Sequence, residues 1–276
     1  MPKKYQRNTT EIHNLNMITI ADVIKYLDET FHPEYQENYD NAGFLVGDGA
    51  KEYRGSLVAL DLTEEVADEA LAMGLNLIVT HHPFIFRGVK RITNHDDIGR
   101  LIMKLILSGT AVYAAHTNLD NLPDGVNGIL SEKLELLNCR ILKPFESNNT
   151  LGAGMVGELA APMTTETLLL KVKTLTGLPT VRYAGGSGVV HRVALCGGSG
   201  AEFIGDALAS GADIYLTADL KYHDFQRSTE RMALADIGHY ESEQFAKEII
   251  CHTILKKFSN FACRISERQG SLVSYI

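Results

Sequence analysis

The sequence predicts an α/β protein, and three observations point there. From residue 56 onward, short apolar strand-like runs alternate with amphipathic helical runs, the β-α-β-α-β order of a parallel sheet under covering helices. The 276 residues are 45% hydrophobic and 22% charged, enough apolar material for one or two cores. The helical runs also carry their own punctuation, with Thr63 opening one and Gly74, Gly177 and Gly211 closing three.

Taken in order, the opening stretch MPKKYQRNTTEIHNLN is polar and aperiodic and reads as a flexible extension, residues 1–17. Ile20 to Phe31 places Ile20, Val23, Ile24 and Leu27 on one helical face, and a turn at Tyr39-Asp40-Asn41-Ala42-Gly43 leads into strand-like Phe44-Leu45-Val46. SLVALD is a buried strand, a helix runs from Thr63 through Met73, and Asn76 to Thr80 is the next strand. A helix over Asp97 to Leu107 turns Ile98, Leu101, Ile102 and Leu105 inward, and Ala111 to Ala115 is a further strand.

Beyond Asp124 a helix to about Leu137 is expected, and LKPFESNNT is polar enough to mark a boundary or surface loop. A second α/β portion follows, with strands at Met155 to Ala160, Thr180 to Ala184, Val193 to Cys196, Asp213 to Leu216 and Ala233 to Ile237. Helices are expected at Thr165 to Leu175, Ala201 to Ser210 and Glu241 to Phe258. No fixed-period repeat or low-complexity segment interrupts the pattern.

Composition narrows the function classes. A formal charge of −8 argues against a sequence-independent grip on DNA, which needs Lys and Arg to neutralise phosphates. No apolar run approaches the roughly 20 residues of a membrane helix, and the first residues lack a signal-peptide core, so a cytoplasmic protein is expected. Cys139, Cys196, Cys251 and Cys263 are far apart with no C-x-x-C pair, in keeping with reduced thiols.

Five metal-type side chains stand where apolar strands give out: His81 and His82 after the Leu75 to Val79 run, Asp120 past the next strand, and His239 with Glu243 after the last. In open α/β sheets the carboxyl ends of strands gather ligands, so residues distant in sequence meet there. His239 and Glu243 are four apart, one helical face if the helix starts at His239. Adjacent residues on a regular strand face opposite ways, so His81 and His82 serve one site only if the chain has begun to turn, which Pro83 favours. Each piece alone also has a plain structural reading, as packing histidine, turn-capping Asp or solvent-facing pair. Three strand exits all delivering such groups favour a metal site, and three imidazoles with two carboxylates exceed the three protein ligands of a usual catalytic zinc. Two ions sharing a carboxylate fit that inventory better. The turn Gly197-Gly198-Ser199-Gly200 lies between strand and helix, where bare N–H groups could receive a phosphate, although it matches no standard phosphate-loop pattern. Asp61 and His223 are candidates for support of the site or for ordinary capping and pairing.

The segments ENYDNAGFLVGD, LIVTHHPFIF, HTNLDN, VALCGGSGAEF, LTADLKYHDFQ and DIGHYESEQF, in this order, resemble the Nif-three-like family, whose bacterial members are labelled GTP cyclohydrolase type 2 homologues. The resemblance covers about residue 18 to the C-terminus. It implies two interlinked three-layer α/β/α domains with mixed, largely parallel sheets, one built from residues 18–125 with 236–276 and carrying the metals, the other from residues 126–235. It implies a dinuclear centre of divalent ions (Zn, Fe, Mn, Ni or Co) held by His81, His82, Asp120, His239 and Glu243, and a homohexameric ring built as a trimer of dimers. The activity it implies is hydrolysis of a nucleotide or phosphoester by a metal-activated water; Glu243 is the carboxylate expected to bridge the ions, and His116 and His223, which fall on family motif positions, are further catalytic candidates beside them. The competing expectation is a non-catalytic metal-binding or scaffold ring for protein partners. Two departures from the family pattern are Tyr39, where a tryptophan often precedes the Asp-Asn pair, and the lack of room for the domain some longer relatives insert mid-chain.

Overall fold

The structure, a computed structural model, describes residues 17–276; the expected N-terminal extension falls almost wholly outside the described residues. In chain order the elements are α1 (Ile20–Phe31), β1 (Gly43–Val46), β2 (Ser56–Ala59), α2 (Glu64–Ala72), β3 (Leu77–Thr80), α3 (Asp97–Ser108), β4 (Ala111–Ala114), α4 (Thr117–Asp120) and α5 (Val126–Lys133). There follow β5 (Leu137–Phe145), β6 (Asn148–Thr164), α6 (Thr165–Thr176), β7 (Arg182–Ala184), β8 (Val189–Ser199), α7 (Ile204–Ala209), β9 (Ile214–Ala218), α8 (Tyr222–Phe225), β10 (Ala233–Asp236), α9 (His239–Glu243), α10 (Ala246–Lys257) and β11 (Cys263–Ile265).

Two sheets organise the chain. The first has the order β1-β4-β3-β2-β11 and the second β5-β6-β8-β9-β10-β7. In the first, β11, β2, β3 and β4 run parallel and only β1 is antiparallel. The second is more evenly mixed than the sequence pattern implied: β6–β8, β5–β6 and β10–β7 are antiparallel, and only β8–β9 and β9–β10 are parallel.

Strand alternation explains why both sheets are covered on both sides. Val58, Leu60, Leu77 and Val79 pack against Ile20, Leu27 and Ile250 from α1 and α10, while Leu57, Ala59 and Ile78 face Val66, Ala70, Leu101 and Leu105 from α2 and α3. In the second sheet Val193, Leu195, Ile214 and Leu216 meet Leu168 and Val172 of α6, and Ala194, Tyr215 and Leu234 meet Ile204 and Ala207 of α7. The caps behave as their residue types require. The Thr63 side chain accepts from the Val66 N–H at the start of α2, Asp96 caps α3, and Gly109 and Gly177 end α3 and α6 in the left-handed conformation.

The departures from expectation have physical causes. The polar LKPFESNNT segment is not a loop but the hairpin of β5 and β6, paired from Leu137↔Glu158 to Phe145↔Asn148. It reads as a loop because β5 is an edge strand exposed over most of its length, so its side chains need not be apolar. Helix α5 ends at Lys133 rather than Leu137, with Glu135 at φ 61° breaking it before β5. The run expected as one helix over Glu241 to Phe258 is two, α9 and α10, and the one over Ala201 to Ser210 is a 3-10 turn followed by the short α7. No helix among the described residues is long and apolar enough to cross a membrane.

Candidate metal centre

The first sheet delivers its polar residues at the carboxyl ends of three adjacent parallel strands. Asp61 follows β2, His81 and His82 follow β3, and His116 and Asp120 follow β4, the latter on the single turn α4. His239 and Glu243 come from α9, the element after β10 of the second sheet. His81 and His82 both reach the site because regular pairing stops at Thr80; the His81 and His82 N–H groups then donate to the Ala59 and Leu60 carbonyls at 3.2 and 2.8 Å. The i, i+4 pair on α9 meets as its spacing requires, with His239 Nε2 3.0 Å from Glu243 Oε2.

Glu243 is the hub. Its Oε2 lies 2.9 Å from His82 Nε2 as well as 3.0 Å from His239 Nε2, whereas its Oε1 faces His81 Nε2 at 3.8 Å. His81 Nε2 is also 3.6 Å from Asp120 Oδ1. Ligand-type atoms thereby fall into compact groups that could hold a metal ion: His82, His239 and Glu243; His81, Asp120 and Glu243; and His81, His82 and His116. The fit to a cation is close. Two imidazole nitrogens across a tetrahedral ion at about 2.0–2.1 Å stand about 3.4 Å apart, and His239 Nε2 and His82 Nε2 are 3.4 Å apart.

Outer partners orient each imidazole. His82 Nδ1–H donates to Asp61 Oδ1 at 2.7 Å, His239 Nδ1–H to Asp219 Oδ2 at 2.8 Å, His116 Nδ1–H to Asp40 Oδ1 at 2.7 Å, and His81 Nδ1–H to the Ala115 carbonyl at 2.7 Å. Because these acceptors carry no proton to give, Nδ1 is the protonated nitrogen and Nε2 is turned inward, the arrangement metal-binding histidines adopt. His81 is fully buried and its Nε2 has no hydrogen-bond partner, an orphaned acceptor aimed at Asp120 and Glu243. Burial at this level is unfavourable unless something pairs with the group.

The acids and imidazoles perturb one another's charge. Burial opposes ionisation of Glu243, but His239, His81 and His82 outweigh it and hold the carboxyl well below the usual range. Burial and the Glu243 charge push Asp120 well above it. Burial disfavours the charged rings of His82 and His239, yet Asp61 with Glu243 raises His82 to about 10, and Glu243 with Asp219 raises His239 to about 9. Burial pushes His81 down. Carboxylates thus hold protons on imidazoles where a cation would satisfy both.

Two cavities open onto this cluster. One of about 550 Å³ is lined by Tyr39, His116, Asp120, Lys143, His239 and Glu243, and another of about 680 Å³ by Asp61, His82, Asp219, His239 and residues of the C-terminal segment.

All five residues named as ligands from the sequence are therefore brought together, with His116 beside them at ring distances of 5.3 and 5.5 Å from His81 and His82. His223 is not. It sits exposed on α8, its Nδ1 3.3 Å from Gln226 Oε1 and its ring against Tyr222, outside every donor group among the described residues. Gly197, Gly198 and Ser199, at the end of β8, do border the site, whereas Gly200 packs against Thr217 and Tyr215, and the four do not form an open anion cradle. The Gly197 and Gly198 N–H groups donate to Asn127 Oδ1 and Ser242 Oγ at 2.8 and 3.0 Å, and a 3-10 turn rather than a long helix follows. Asp61 is placed on His82. Asp40 and Asp219 were not singled out from the sequence; only the φ of 57° at Asp219, invisible in sequence, marks it as unusual.

The family model for Duf34/NIF3 (NGG1p interacting factor 3) matches residues 18–270. The chain belongs to the Duf34/NIF3 family. It is 39% identical over 227 residues to the GTP cyclohydrolase 1 type 2 homolog of Clostridium perfringens, covering 81% of this chain and 86% of that one. It is 32% identical over 248 residues to the protein NIF3 homolog of Schizosaccharomyces pombe, covering 85% and 88%. Among solved structures, this Duf34/NIF3 chain is similar to the Staphylococcus aureus hypothetical protein SA1388, with a TM-score of 0.87 at 31% identity over 94% of this chain and 99% of that one.

Proposed function

We propose that this protein binds two divalent ions, one at His82 and His239 and one at His81 and Asp120, with Glu243 between them, and that it is a metal-dependent hydrolase of a nucleotide or phosphoester. The observation that carries the reading is the division of Glu243, whose two oxygens turn to two different donor sets. Imidazole with carboxylate suits Zn, Fe, Mn, Ni or Co and disfavours all-oxygen Ca or Mg sites. When bound, such ions supply Lewis acidity and bring the pKa of a coordinated water toward neutrality.

The chain's own groups do the rest. Asp61, Asp219 and the Ala115 carbonyl keep the Nδ1 protons of His82, His239 and His81 in place, so Nε2 is the nitrogen each ring turns toward the ion position and the one that would bind it on losing any proton it carries. His116 lines the 550 Å³ cavity with its Nδ1 proton committed to Asp40, which leaves Nε2 to take a proton from, or give one to, a bound substrate. The name GTP cyclohydrolase 1 type 2 homolog carried by the Clostridium perfringens relative supports a nucleotide as the first substrate to try. The reading also takes in the homohexameric ring that the family resemblance implies, whose six-chain mass in solution is the check, and the cytoplasmic location expected from composition.

The experiment is turnover by purified, metal-reconstituted protein against GTP and a panel of nucleotides and phosphoesters. Turnover that requires the metal and is lost in His82→Ala supports the hydrolase. Silence across the panel, with a partner protein still bound by His82→Ala, would replace it with the scaffold reading.

A further inference from the structure

The C-terminal segment reaches the metal centre from outside the strand-end motifs. Strand β11 pairs in parallel with β2, the strand that ends just before Asp61, and the pairing continues as the Ser266 N–H donates to the Val58 carbonyl at 2.8 Å. A hook then forms over the end of β2. Glu69 on α2 accepts from the Ser266 hydroxyl and from the Glu267 N–H, the latter at 3.0 Å. This places Gln269 where its amide makes two bonds at once. The Leu60 N–H donates to Gln269 Oε1 at 2.6 Å, and Gln269 Nε2–H donates to Asp61 Oδ2 at 2.7 Å. The other oxygen of Asp61 accepts from His82 Nδ1–H.

We propose that Gln269 is a positioning residue for the His82, His239 and Glu243 ion position, acting by locking the Asp61 carboxylate that orients His82. The inference rests on the metal-binding reading above and names a further residue for that site. Three observations carry it. The Asp61 side chain is 36% exposed and belongs to a residue just beyond the strand, so packing alone does not fix its rotamer. Its nearby charge partner across His82 is another carboxylate, Glu243, so electrostatics between the two acids favours their separation. Gln269 is the donor that offsets this, and its amide is itself fixed because its oxygen is occupied by the Leu60 N–H. Among the described residues no equivalent side chain serves the other position, where His81 is oriented by the Ala115 backbone carbonyl. Outer-shell partners of metal-bound histidines are worth about 10–100-fold in affinity, and Gln269 stands one bond further out.

The test is titration of the purified full-length protein with Zn²⁺ and with Co²⁺ under chelator competition, comparing wild type with Gln269→Met, which keeps length and removes both polar contacts. Asp120→Asn and His239→Ala assign the two binding steps. Gln269→Met should weaken the His82/His239 step about tenfold and leave the His81/Asp120 step unchanged. Asp61→Asn leaves the hook in place and should give the same one-position loss. A second readout needs no metal: the hydrogen-bonded His82 Nδ1–H proton should be a sharp downfield NMR line in metal-free wild type and broaden in Gln269→Met. Equal weakening of both steps in parallel with a lower melting temperature of the metal-free protein would reduce Gln269 to a structural role. Unchanged steps overturn the proposal outright. If wild type takes up neither metal, the metal-binding reading fails by itself, and the NMR line then decides this one.

Discussion

A β-carbon added to Gly198 would overlap Glu243 Oε1, in a backbone whose φ of 61° already disfavours any residue but glycine. The glycine-rich end of β8 is therefore shaped around the buried carboxylate. Gly198→Ala should lose stability by about 1–3 kcal/mol from the left-handed backbone alone and should lower metal uptake by displacing Glu243. Chemical denaturation and elemental analysis of the same preparation check both halves.

The ligand set separates from its surroundings by substitution. Glu243→Gln should lower metal content further than Asp120→Asn, because Glu243 belongs to both of the donor groups that contain a carboxylate and Asp120 to one. His223→Ala should leave metal content at the wild-type level, since that ring lies outside the donor groups. Inductively coupled plasma measurements on folded, size-fractionated protein give the order directly.

Much of this site was legible in the sequence, for identifiable reasons. His81 and His82 follow a nearly continuous apolar run that reads as a central parallel strand, and His239 and Glu243 have a spacing that one helical turn brings together. Both are local signals. What the sequence does not display is pairing across the chain: Gln269 with Asp61, Asp40 with His116, and Asp219 with His239 are set by strand order and by one left-handed backbone residue. Strand β5 and the start of β6 escaped for a different reason. An exposed edge strand has no apolar face to leave a period-two imprint, whereas the helices α1 and α3 each bury one face and are visible at once.

Asp40 gives a pH dependence whose sign is fixed. Burial opposes its charge, but His116 first and then Thr117 and the Asn41 N–H outweigh it and bring the carboxyl down to about 2 from an ordinary 3.8. A depressed folded-state value contributes stability that is fully present above the unfolded value and is lost as pH falls through the folded one. The stability difference between wild type and Asp40→Asn should thus shrink by about 2 kcal/mol on acidification from about pH 5 toward pH 2. Urea denaturation of the metal-free proteins at several pH values measures it. A gap that widens on acidification contradicts the assignment.

Stability and metal binding should be separable in the core of the first sheet. Leu77 is fully buried against the α1 and α10 face, so Leu77→Ala should cost about 2–5 kcal/mol in denaturant. The ions should still bind with wild-type stoichiometry below the new transition, because the donors lie past the strand ends. Leu107→Ala, at a position 87% exposed, should move neither quantity.

The most direct measurement of the central claim is a crystal structure of the metal-loaded protein with anomalous difference maps recorded at the edge of the added metal. Two peaks are predicted on either side of Glu243, one bonded to His82 and His239 and the other to His81 and Asp120. A single peak, or peaks that leave Glu243 unbonded, would contradict it.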